Sequence, residues 1–153
     1  MVLNMGMINI VKNVKEVHPE YVIIVNTGKF YYTYGKDSYI IAYLFHYQLS
    51  TLENVSRCGF SDHSLKKVMA KLEQTKINYL LLDRKNNYDV DEEFNCKNLN
   101  QYQKVFEKAR EKINLRNRVD RICQYLYSSI DYNEKIGQLL KKMEEYIDEG
   151  RKI

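Results

Sequence analysis

At 153 residues the chain is long enough for one domain, or for one small domain with an appendage. Hydrophobic residues at 44% and charged residues at 29% place it among folded proteins, and one Pro with six Gly excludes collagen-like or linker-like material. The net charge of +4 permits contact with phosphate without demanding it. Up to position 90 there are eleven basic and eight acidic residues, and beyond it thirteen and twelve, so the surplus sits in the N-terminal part. The longest apolar runs, such as 39–45, are too short to cross a bilayer. The N-terminus has no basic segment followed by a long apolar core, so no signal peptide is expected. Cys58, Cys96 and Cys123 are widely spaced and odd in number, which fits free thiols in a reducing cytoplasm. His18, His46 and His63 form no metal-binding pair.

In chain order, Ile10, Val11, Val14 and Val17 have helical spacing in a β-branched context. His18-Pro19-Glu20 ends that segment, since Pro removes a donor and biases its predecessor away from the α region. Residues 21–25 read as a buried strand, 26–29 as a turn with Gly28 free to take positive φ, and 30–34 as an aromatic strand, which together make a hairpin. Asp37 or Ser38 is placed to cap a helix over 39–49. A short strand over 51–57 follows, then a helix from Ser61 through 76 with Leu65, Val68, Met69 and Leu72 on its apolar face, then a strand over 77–83. Residues 86–93 are polar and acidic and read as a connection.

From about 98 onward the texture is helical only. Tyr102, Val105, Phe106, Ala109 and Ile113 form one stripe, and Val119, Ile122, Leu126 and Ile130 a second, out of phase with the first. That pattern suits one long helix with a drifting face, or two helices with a break at 114–117. Asp131 and Glu134 suggest a capping pair for a final helix with Ile136, Leu139, Leu140, Met143 and Ile147 inward and Gly150 at its end. The expected fold is α/β (α+β): a small mixed sheet flanked by helices over 1–90, then a helical extension over 91–153 built as a hairpin.

Nucleotide hydrolysis finds no support. Six residues separate Gly28 from Gly35 where a phosphate loop has four between its glycines, and Asp37 stands where the magnesium-binding hydroxyl belongs. No nucleophile elbow or paired catalytic carboxylates are marked, so the chain is read as non-enzymatic and without a cofactor. The aromatic strand offers different chemistry. Phe30, Tyr32 and Tyr34 share one side, Tyr31 and Thr33 the other, with Lys29 and Lys36 flanking. Rings of this kind wedge into or stack on bases while ammonium groups meet phosphates; ordinary sheet packing is the competing reading.

The order of segments is informative. His18-Pro19-Glu20, an apolar strand, Gly28-Lys29-Phe30-Tyr31 with Tyr34 beyond, and then a helix resemble the N-terminal mismatch-recognition domain of the MutS family of DNA mismatch-repair proteins. That family reads H-P-[DE], apolar strand, G-D-F-Y-E-x-F. Cys58-Gly59-Phe60-Ser61-Asp62-His63-Ser64 is similar to its A-G-[IV]-P-x-H-A segment. The likeness spans about 10–84 and leaves the tail without a counterpart.

The resemblance implies that Phe30 is the residue that stacks on a mispaired base from the minor groove. The position of the family's Glu, which hydrogen-bonds that base, holds Tyr32, and the position of its Asp holds Lys29. A carboxylate accepts only, whereas a phenol donates or accepts and brings a second ring. The change is friendlier to phosphate and gives up part of the mismatch reader. The implied nucleic-acid-binding set is Phe30, Tyr32, Lys29, Lys36, Lys66, Lys67 and His63, with DNA ahead of RNA as ligand. The chain leaves no room for the ATPase, clamp and lever parts of a full family member. An accessory to a larger repair or polymerase-type enzyme is therefore expected. The alternative is an interaction module whose tail forms a homodimer or docks a partner. The basic stretch Arg110, Lys112, Arg116, Arg118 and Arg121 is diluted by Glu107, Glu111 and Asp120 and reads as a solvated helix face.

Overall fold

The computed structural model describes residues 2–152, with side chains from residue 6 onward. Its elements are α1 (Val2–Val17), β1 (Val22–Asn26), β2 (Phe30–Tyr34), α2 (Lys36–Phe45), β3 (Ser50–Leu52), β4 (Val55–Ser61), α3 (Leu65–Gln74), β5 (Tyr79–Asp83), β6 (Asp89–Phe94), α4 (Tyr102–Ser129) and α5 (Ile136–Arg151). Six strands form one mixed sheet in the order β3-β4-β2-β1-β5-β6. β1 and β5 are parallel and the other neighbours antiparallel.

β1 and β5 are central and buried on both faces, which is why they read as continuous apolar runs. Side chains alternate between two cores. Val22, Ile24, Tyr31, Cys58, Phe60 and Leu81 pack with α2, α3 and the start of α4. Ile23, Val25, Tyr34, Leu80 and Leu82 pack with Met7 and Val11 of α1. The sheet thus has an α1 side and an α3 side, and every β2 residue is assigned to one by its parity.

The two cores are joined by a buried polar knot. Asp37, with no exposed side-chain surface, accepts from the Lys15 ammonium at 2.8 Å, the Tyr102 hydroxyl at 2.6 Å and the Ile23 backbone N–H at 3.0 Å. Lys15 also donates to the carbonyls of Tyr21 at 2.6 Å and Pro19 at 3.0 Å. Asp37 or Ser38 was expected to cap α2. Both lie inside the first turn instead, and the Asp37 carboxylate ties α1, β1, α2 and α4 together. Burial pushes its carboxyl up from the ordinary carboxylate range, while Lys15, the Tyr102 hydroxyl and the Ile23 N–H pull it down. Burial first, then Asp37, push the Tyr102 phenol up, so Tyr102 stays the donor.

Several local expectations are corrected. The region 51–57 is not one strand: β3 and β4 form a hairpin, with Glu53 and Asn54 both at positive φ as a tight type I′ turn requires. Ser61 ends β4 and makes no side-chain cap; a single 3-10 turn, Asp62–Ser64, leads into α3. The acidic stretch read as a connection contains β6, an edge strand with five of its six residues exposed. With no buried face it carries no alternation to read. Of the two arrangements open for the first part of the tail, the one long helix is found: α4 runs unbroken through 114–117.

The structure divides into two compact units, Met1–Ile113 and Asn114–Ile153. The first takes in β6 and the start of α4, where Tyr102, Val105, Phe106 and Ala109 are buried. In the second, α5 has no buried residue: Leu139 and Ile147, expected inward, are exposed. No side-chain cap bond opens α5, so Asp131 and Glu134 do not act as the expected capping pair, and Gly150 lies inside the helix rather than past its end.

Candidate nucleic-acid interface

The β1–β2 turn presents the aromatic tip. Gly28 takes φ 115°, a conformation open to glycine at little cost, and accepts no close neighbour at its Cβ position. Asn26 Oδ1 accepts from the Gly28 N–H at 2.9 Å, and the Phe30 carbonyl accepts from the Thr27 N–H at 2.9 Å and the Thr27 hydroxyl at 2.8 Å. Phe30 follows directly, 50% exposed and a member of neither core. Lys29 beside it is exposed.

Phe30, Tyr32 and Tyr34 form a ladder on the α1 side, with ring centroids 6.4 and 6.5 Å apart. Burial deepens along it: Phe30 is exposed, Tyr32 intermediate and Tyr34 buried. Tyr32 lies against Gly59 of β4, its partner across the ladder. A Cβ at Gly59 would stand 2.5 Å from Tyr32 Cε1, so only glycine leaves room for the ring. The Arg57 guanidinium sits 4.7 Å from the Tyr32 centroid, a cation–π contact, and its Nε donates to Ser50 Oγ at 3.3 Å. Gly59→Ala is expected to displace Tyr32 and Arg57 together and to lower stability by about 1–3 kcal/mol, the range for overpacking. A denaturant melt of the variant checks this, and an unchanged midpoint would refute the packing argument.

The turn at 26–29 shares its end of the sheet with two other loops. The Asp62 N–H donates to the Lys29 carbonyl at 3.0 Å, which brings His63 to the tip; its side chain is exposed and lies 3.7 Å from Asp62. Asp83 pairs with Asn26 in the parallel ladder, so the Arg84–Asn86 turn that follows arrives there too. Asp83 caps that turn by accepting from the Lys85 N–H at 2.9 Å.

Of the residues singled out in the sequence, Phe30, Tyr32, Lys29 and His63 gather at this end. Lys36 and Lys67 do not join them. The Lys36 ammonium lies 5.1 Å from the Phe106 centroid, and Lys67 lies 5.7 Å from Phe45 and 5.9 Å from Tyr47, all rings of the α3-side core or its fringe. Lys66 is exposed in the first turn of α3, on the same side. Arg57, Gly59 and Arg84 were missed. The spacing of Gly59 to Tyr32 across an antiparallel pair was the one available signal, and it requires knowing the register.

Tyr34 and Tyr31 report the local charge on either side. Burial pushes the Tyr34 phenol up to about 12, Arg57 and Arg84 pull it down, and Tyr32 and Tyr88 push it up. Tyr31 is pushed up by burial and then by Asp62, Asp83, Asp91 and Glu92. The charges acting on Tyr34, on the α1 side, are thus the two arginines, and those acting on Tyr31, on the α3 side, are carboxylates. Burial also raises the Cys58 thiol to about 11, which leaves it an inert core residue.

Among the described residues, no helix is long and apolar enough to cross a membrane, and no cluster is placed to hold a metal ion. No curated protein matches the chain. The family model of MutS domain I matches residues 5–87, the stretch that carries α1, the aromatic hairpin, α2, the β3–β4 hairpin, α3 and β5. MutS domain I is a non-catalytic DNA mismatch-recognition domain. With more than half of its length matched, and with the mixed sheet and flanking helices in that order, the chain belongs to the MutS domain I family.

Proposed function

We propose that the chain is a non-enzymatic DNA-binding accessory protein that engages distorted or mismatched duplexes through Phe30. One observation carries the reading: Phe30 stands half exposed at a rigid turn beside Lys29 and contributes to neither core. A ring held this way can enter a weakened base step, and the step's own instability lowers the cost of entry. Tyr32 backs the wedge with a second ring and a hydroxyl, and Lys29 with His63 meets the adjoining backbone. The free thiols of Cys58, Cys96 and Cys123 suit a cytoplasmic setting. The partner enzyme is a larger repair or polymerase-type machine. The test is binding of a labelled duplex, with and without a mismatch, as salt is raised. Affinity for the mismatched duplex that falls with salt supports the reading, and no binding at low salt refutes it.

A separate observation favours self-association. In the Asn114–Ile153 unit, Leu115, Val119, Ile122 and Leu126 follow the four-three-four spacing of a helix seam, and the first three are exposed. With Ile130, Leu139 and Ile147, also exposed, they leave an uncovered apolar surface of the kind a stable interface buries, roughly 800 Å² on each partner. A two-fold contact needs a self-complementary surface, and this unit carries Arg118 and Arg121 on α4 and Glu144, Glu145, Asp148 and Glu149 on α5. The occupant is a second copy of this chain. Light scattering should give a dimer that Ile122→Glu converts to a monomer; a strict monomer at high concentration refutes the contact.

A further inference from the structure

We propose that the bound nucleic acid lies across the α1 side of the sheet, where Arg57 and Arg84 hold its phosphates, and not against α3. This rests on the reading of Phe30 above and adds the face, the cations and the direction of approach.

Register places Arg57 on that side. It stands opposite Tyr34 in the β2–β4 ladder, in the same row as Gly59 and Ser61, whose partners are Tyr32 and Phe30. Its guanidinium lies on the Tyr32 ring, which holds the planar fork in place and leaves donors that Ser50 does not use. Arg84 reaches the same side by alternation. Leu80 and Leu82 belong to the α1-side core, Asp83 is extended, and Arg84 follows it. Among the described residues no carboxylate pairs with Arg57 or Arg84, so both charges are available to an external anion.

The opposite side carries carboxylates close to Tyr31. Asp62, Asp83, Asp91 and Glu92 all act on the Tyr31 hydroxyl, and Arg57 and Arg84 act on that of Tyr34. Lys36 and Lys67 on that side stand over Phe106 and Phe45, away from the turn that carries Phe30. A duplex or strand that delivers a base to Phe30 is drawn toward the arginines and repelled from the carboxylates.

The experiment measures the dependence of affinity on salt for a mismatched duplex, with the full chain. Arg57→Gln and Arg84→Gln should each lower the slope of log K against log salt by about 0.9, the value for one duplex phosphate contact. Lys66→Gln and Lys67→Gln should leave the slope as in the wild type. Arg57→Lys keeps the charge and should keep the slope, which separates loss of a phosphate contact from disturbance of Tyr32. Arg84 is exposed and its replacement leaves the fold intact. Wild-type binding with undiminished slopes in both arginine variants overturns the proposal and spares the role of Phe30. So does a slope lowered only by the lysine variants. Absence of any salt-dependent binding by the wild type overturns the reading of Phe30 itself.

Discussion

Asp37→Ala will lower the stability of the first unit by about 3 kcal/mol, the lower end of the effect of breaking a buried ion pair. The lower end applies because the Lys15 side chain is 23% exposed and keeps its bonds to the Tyr21 and Pro19 carbonyls. Three donors lose their acceptor at once: the Lys15 ammonium, the Tyr102 hydroxyl and the Ile23 N–H. For a unit of this size the change corresponds to a fall in melting temperature of roughly 10–20 °C. Lys15→Met leaves a buried carboxylate without its countercharge and should be comparably harmful. The double variant Lys15→Met with Asp37→Leu removes both charges and should lose less than either single change. Thermal melts of all three check the argument. Additive losses in the double variant would mean that the two side chains do not act as a pair.

Phe30→Ala is expected to weaken binding to a mismatched duplex by about 1–3 kcal/mol, or roughly 5- to 150-fold, the range for removing one aromatic ring from a base. Stability should be unaffected, since the ring belongs to neither core. That separation makes the result readable, because a folded variant with lost affinity points to a contact with ligand. Tyr32→Ala gives a mixed outcome by contrast, since Tyr32 fills the space over Gly59 and carries Arg57. Undiminished affinity in folded Phe30→Ala would reduce the tip to an inherited shape.

The sequence was most legible where one residue type answers to one physical demand. The apolar runs of β1 and β5 announce strands buried on both faces, and Gly28 announces the turn that its φ of 115° confirms. The motif around Phe30 and the segment from Cys58 to Ser64 led to the family now matched over residues 5–87. The role of Asp37 was hidden because its partners, Lys15 and Tyr102, are 22 and 65 residues away and converge only in the folded chain. The cations that share the α1 side with Phe30 were hidden for the same reason. Lys36 is close to Phe30 in sequence yet sits past the far end of β2 and over Phe106, whereas Arg57 and Arg84 are remote in sequence and are brought to the α1 side by strand register. The second stripe of α4 was read from its period, but a period says that a face is apolar and not what covers it.

The acidic edge strand has one more consequence. A sheet ends in a row of unpaired amides and carbonyls, and a bare edge invites a neighbouring molecule to add its own strand. β6 lines that edge with Asp89, Asp91, Glu92 and Glu93, all exposed. Two such borders repel each other when they approach, so the molecule resists zipping into fibrils along this margin even when copies are concentrated.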